Sequence, residues 1–99
     1  MTDINVDMNN PEFQRDFFNL EKQAQSTLIK TLKKISKIQW EQLYQGSSLN
    51  WEAILSKQSN TGTKLYSFRF SKKFRAIAVR EEAFLRLLTL HTDHDSAYQ

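Results

Sequence analysis

The chain has 99 residues, of which 39% are hydrophobic and 12% aromatic, with two glycines, one proline and no cysteine. That composition sets aside disorder, collagen-like repeats, glycine-rich phosphate loops, disulfide frameworks and thiolate metal sites, and a chain of this size is expected to form one domain over residues 1–99. The net charge of +3 is modest. No apolar run approaches the roughly 20 residues of a bilayer span, and Met1-Thr2-Asp3-Ile4-Asn5 lacks a basic-then-apolar export signal, so a cytoplasmic protein is expected.

Asp3-Ile4-Asn5-Val6-Asp7-Met8 alternates polar and apolar residues with the period of two that a short half-buried strand requires. Asn10 is placed to cap a helix, Pro11 suits its first position, and Glu12 and Asp16 complement the positive end of its dipole. Apolar residues then recur at 13, 17, 20, 24, 28, 32 and 35. Steps of three and four mark one helical face, and a break at Asn19-Leu20-Glu21-Lys22 divides it into helices over 11–19 and 22–37. Lys33, Lys34 and Lys37 lie at the second helix's C-terminal end, where the dipole favours cations. Another turn or two of helix is expected over 38–44, stopped by Gly46-Ser47-Ser48. Residues 49–55 read as a short irregular or strand-like segment, and 58–62 as a turn-rich loop.

After that loop the period changes to two. Strands are expected over 65–70, 74–80 and 84–91, joined by Ser71-Lys72-Lys73 and Glu81-Glu82 as an antiparallel meander. The fold class implied is α+β, a small antiparallel sheet of the N-terminal strand plus the three-strand meander, covered on one face by the N-terminal helices. The other face is then available for function.

Charge is distributed unevenly along this plan. Residues 1–63 are balanced, whereas 64–91 hold Lys64, Arg69, Lys72, Lys73, Arg75, Arg80 and Arg86 against Glu81 and Glu82. Positive charge gathered into one structural unit is the footprint of a polyanion partner; lysines spread evenly would mean only solubility. Arg69 and Arg75 flank the first tight turn. A three-residue loop would set them opposite each other on one face, and a four-residue loop would send them to different faces. Paired guanidiniums beside lysines suit a phosphodiester and the charge that develops on it; solvent-facing arginines on an ordinary sheet are the plain alternative.

Both histidines lie in the last segment, where His91, His94 and Tyr98 offer groups able to donate or accept protons near neutral pH. His91, Asp93, His94 and Asp95 also carry metal-ligating atoms, but neighbours on an extended strand point to opposite faces, and no metal site is expected. Trp40, Tyr44 and Trp51 read most simply as packing, with stacking on bases as the alternative.

The run Leu32-Lys33-Lys34-Ile35-Ser36-Lys37-Ile38-Gln39-Trp40-Glu41-Gln42-Leu43-Tyr44, then Leu49-Asn50-Trp51-Glu52, then Leu65-Tyr66-Ser67-Phe68-Arg69-Phe70 and Phe74-Arg75, resembles the RelE/ParE superfamily of bacterial type II toxins. The ending Asp93-His94-Asp95-Ser96-Ala97-Tyr98 is similar to the last segment of its mRNA-cleaving members. The resemblance implies a helix-covered sheet whose exposed face cleaves mRNA on the ribosome without metal or other cofactor, and a cognate antitoxin protein as partner. Carried over by position, Arg69 matches a basic residue of the second strand and Arg75 the arginine that opens the third. His94 matches the C-terminal catalytic histidine of some branches, and Tyr98 the terminal aromatic. Ser67 and Thr92 stand where one branch has basic residues. The expectation is therefore an endoribonuclease with catalytic Arg69, Arg75, His94 and Tyr98 and with RNA contacts from Lys64, Lys72, Lys73 and Arg80. A same-fold toxin that inhibits DNA gyrase and a non-catalytic protein-binding module are the alternatives.

Overall fold

The computed structural model describes residues 3–46, 49–58 and 64–92. Its elements in chain order are β1 (Asn5–Asp7), α1 (Pro11–Asn19), α2 (Lys22–Ser36), α3 (Trp40–Tyr44), β2 (Glu52–Gln58), β3 (Lys64–Arg69), β4 (Phe74–Glu81) and β5 (Phe84–Thr92). The strands form one sheet in the order β1-β5-β4-β3-β2. The α+β architecture with helices on one sheet face is the expected one. In detail the sheet gains β2 as a fifth strand and is mixed, because β1 runs parallel to β5, from Asn5↔Phe84 to Asp7↔Arg86. Alternation in β1 tells which side chains turn inward but carries no information on strand direction.

Local chemistry explains the helix boundaries. The Asn10 side-chain oxygen accepts from the Glu12 N–H at 2.8 Å, with Pro11 in the first turn. Gln25 of α2 donates its side-chain amide to the Phe17 carbonyl at 2.8 Å, occupying an end group of α1. At α3, Gln42 Oε1 accepts from the Gln39 N–H at 2.9 Å. Gly46, with φ of 115°, follows the helix in a conformation that favours glycine.

The main core lies between the helices and the sheet. Phe13, Leu28, Leu32, Ile35, Trp40 and Leu43 meet Phe68, Ala76, Ala78, Leu85, Leu87 and Leu90 of the strands. Burying each large apolar side chain there contributes about 1.5–3 kcal/mol. A second, smaller cluster of Ile54 and Ile77, with Leu65 and Leu88 packed on it, belongs to strands alone and lies on the opposite sheet face.

Two devices tie β5 to the N-terminal elements. Asp16 of α1 accepts from the Leu90 N–H at 3.0 Å, and Arg86 reaches Asp7 at 3.1 Å and Glu81 at 2.8 Å. The Asn9 backbone N–H and the Arg86 guanidinium hold the Asp7 carboxyl below its ordinary value.

A bulge in β5 matters more for function. Ile77 pairs with Thr89 but Ala78 pairs with Leu87, so Leu88 is the extra residue. Three residues apart, Leu87 and Leu90 would occupy opposite faces of a regular strand; the bulge lets both enter the helix-side core and sends His91 to the other face.

Candidate functional site

The turn between β3 and β4 fixes the site. Ser71 Oγ accepts from the Lys73 and Phe74 N–H groups, each at 3.1 Å, and the Phe70 N–H donates to the Phe74 carbonyl at 3.2 Å. The loop is therefore the three residues Ser71, Lys72 and Lys73, and Arg69 pairs directly with Arg75. On the other side of β4, Arg75 pairs with His91. Phe68, Ala76 and Leu90 belong to the helix-side core, so alternation places Arg69, Arg75 and His91 in one row across the opposite face. Cross-strand neighbours of this kind have Cβ atoms about 4.5–5.5 Å apart.

The next row along this face is Glu52↔Ser67↔Ile77↔Thr89. Thr89 Oγ1 lies 2.8 Å from His91 Nε2, and Arg69 Nη1 donates to the Lys72 carbonyl at 3.1 Å. The Arg69 backbone N–H donates to the Leu49 carbonyl at 2.7 Å, drawing the start of β2 against the arginine. A cleft of about 140 Å³ results, lined by Asn50, Glu52, Ser67, Phe68, Arg69 and Arg75. Asn50, at φ 54°, makes the left-handed step into β2 that an asparagine tolerates.

The expected site residues divide clearly. Arg69 and Arg75 are brought together, and Lys72 and Lys73 are exposed on the adjoining turn. Lys64 is exposed at the far end of β3, paired with Gln58. Arg80 belongs to the helix side. Its guanidinium carbon sits 4.1 Å from the Trp40 ring centre and 5.6 Å from that of Tyr44, and its Nε donates to the Glu82 carbonyl at 2.9 Å. His94 and Tyr98, like residues 59–62 of the expected loop, lie outside the described residues.

Around Arg80 the aromatic residues pack on one another. Trp51 stacks on Tyr66 with ring centres 4.6 Å apart, and Trp40 meets Trp51 edge-on at 5.8 Å. Burial, followed by the hydrogen bond with Tyr44, pushes the Tyr66 hydroxyl above its usual range. Of this set Trp40 is buried in the core with Trp51 packed against it, while Tyr44 is exposed, all on the side away from the arginine row.

Sequence reading did not assign Asn50, Glu52, Ser67 or His91 to the site. Glu52 becomes visible only once β2 is known to pair with β3, and His91, a proton-transfer candidate by residue type, is placed on the arginine face only once the bulge is known. Among the described residues no group of three or more His, Cys, Asp or Glu side chains is assembled for a metal ion.

The fold so described is that of RelE-type toxins. A chain of the archaeal RelE–RelB complex from Pyrococcus horikoshii OT3 superposes with a TM-score of 0.66 at 13% identity, covering 97% of this chain and 100% of that one. A copper-bound mutant toxin from Helicobacter pylori superposes with a TM-score of 0.51 at 16% identity, covering 94% of this chain and 96% of that one. No protein-family model matches the sequence, and no curated protein matches it significantly. At these identities the likeness is one of fold.

Proposed function

We propose that the chain is the toxin of a type II toxin–antitoxin pair, a metal-independent endoribonuclease that cleaves mRNA on the ribosome in the cytoplasm. The observation that carries this reading is the Arg69–Arg75–His91 row, of which Arg69 and Arg75 line one polar cleft together with Glu52. Two guanidiniums set directly opposite each other on one cleft can both bind a single anion. Phosphate is the planar-fork guanidinium's natural partner.

In this mechanism Arg69 and Arg75 hold the scissile phosphodiester and stabilise the charge gathering on its oxygens. The 2′-hydroxyl gives its proton to a base, its oxygen bonds to phosphorus, and the bond to the 5′-oxygen breaks as an acid protonates that leaving group. The products are a 2′,3′-cyclic phosphate and a 5′-hydroxyl end. Glu52 is suited to the base, and His91 or His94 to the acid, with Tyr98 positioning the phosphate. Lys72 and Lys73 steer the backbone toward the cleft, and Lys64 acts at longer range. The archaeal structure of the same fold was solved as a complex with RelB. That supports a cognate antitoxin, which would meet the basic strands with acidic or partly disordered chain.

The test is cleavage of ribosome-programmed mRNA by the purified protein, with the ends of the products identified. Cyclic-phosphate and 5′-hydroxyl ends, abolished by a 2′-deoxy residue at the cut position, support the mechanism. Intact mRNA together with blocked gyrase supercoiling would replace it with the gyrase-directed alternative.

A further inference from the structure

A second cavity, of about 400 Å³, adjoins the arginine row, and Arg69 lines both. One wall is α2, where Thr27, Lys30, Thr31 and Lys34 form a stripe at helical spacing; the other is the β3–β4 turn with Ser71 and Lys72. The floor is apolar, made by Leu49 and Phe70, which are 6% and 5% exposed. Among the described residues no acidic side chain lines it. The wall threonines are satisfied within the helix, since Thr27 donates to the Gln23 carbonyl at 3.0 Å and Thr31 to the Thr27 carbonyl at 3.1 Å. The charge this wall presents therefore comes from two lysines one turn apart.

We propose that this groove is a track for the RNA strand flanking the cut, with Lys30 and Lys34 of α2 facing Lys72 across the backbone of the neighbouring nucleotides. The inference rests on the nuclease reading and extends it to a part of the molecule outside the basic strands. Three features favour single-stranded RNA. The groove shares Arg69 with the cleft, it has cationic walls on two different elements, and its apolar floor can take the face of an unstacked base. Its volume lies within the range of about 300–1,000 Å³ that holds compact organic groups.

The experiment measures binding of a short, uncleavable 2′-O-methyl RNA over a range of salt concentrations by fluorescence anisotropy. Lys30→Ala/Lys34→Ala is compared with Lys22→Ala/Lys33→Ala, a pair of equal charge change at exposed positions of α2 outside the groove. Each lost phosphate contact lowers the log–log slope by about 0.7, so the groove variant should lose about 1.4 and the other pair close to none. Arginine at 30 and 34 should restore the slope, and unchanged melting should show that the fold is intact. Equal losses in both pairs would reduce the effect to overall charge and overturn the groove. Unchanged RNA binding with weakened binding of poly-glutamate would reassign it to an acidic protein. If the wild-type chain cleaves ribosome-programmed mRNA but binds no free RNA, or the two pairs behave alike, only the groove falls; if it leaves that mRNA intact, the nuclease reading falls along with the groove.

Discussion

Arg75 and Arg80 occupy the same strand, five residues apart, in opposite circumstances. The odd spacing puts them on different faces. Arg80 lies over Trp40, and its Nε donates to the Glu82 carbonyl, so the charge is spent on holding the β4–β5 turn against α3. Arg75 sits between Arg69 on one side and His91 on the other, and with Arg69 it lines the polar cleft that also holds Glu52. Seven basic residues between 64 and 91 made one pattern in the sequence, yet they do different work. A charge count locates the strands of interest, and the parity of each position then separates the residues that line the cleft from those that pack on the helix side.

The largest expected effect falls on the histidines. Proton transfer by one positioned group is worth about 10²–10⁴ in rate, so the acid's replacement by alanine should lower single-turnover cleavage by that order with RNA affinity nearly intact. His91→Ala and His94→Ala measured side by side identify which of them it is. Full activity in both variants would remove histidine from the reaction.

Next come the arginines. Arg69→Ala or Arg75→Ala should lower cleavage about 10²–10³-fold, the loss that follows when one donor to a developing oxyanion is removed. Arg80→Ala should do the converse, leaving cleavage near the wild-type rate while costing about 0.5–2 kcal/mol of stability in urea as the cation–π contact is lost. Comparable losses of cleavage at Arg75 and Arg80 would break the division between the two faces.

The sequence made the helices legible because periodicity and capping are local signals. The apolar steps from 13 to 35 and the Asn10-Pro11 start lead to helices at Pro11–Asn19 and Lys22–Ser36. The β3–β4–β5 meander was legible for the same reason. What escaped depends on partners distant in the chain. Glu52-Ala53-Ile54-Leu55 has no clean alternation, so β2 is defined by pairing with β3, and Glu52 enters the site with it. Ser71-Lys72-Lys73 is compatible with two loop lengths, and the choice rests on the Ser71 hydroxyl bonding two backbone N–H groups. His91 could be placed only after the Leu88 bulge, a device that shows itself in packing on both faces of the sheet at once.

The smallest effect tests the premise beneath the others. If Arg69 and Arg75 oppose each other with like charge, a double-mutant cycle through Arg69→Gln and Arg75→Gln should return an unfavourable coupling of about 0.2–1 kcal/mol in denaturant titrations at low salt. Screening shortens the range of the interaction from about 10 Å at 0.1 M to 3 Å at 1 M ionic strength, so the coupling should shrink as salt is added. A phosphate diester or sulfate should turn its sign, because the anion gives both guanidiniums a common partner and stabilises the folded state by mass action. Arg80 and Trp40 form the contrasting cycle, favourable without any added ion, since its attraction is built into the fold. A coupling between Arg69 and Arg75 that is favourable and indifferent to anions would take from the cleft between them its claim to a phosphate.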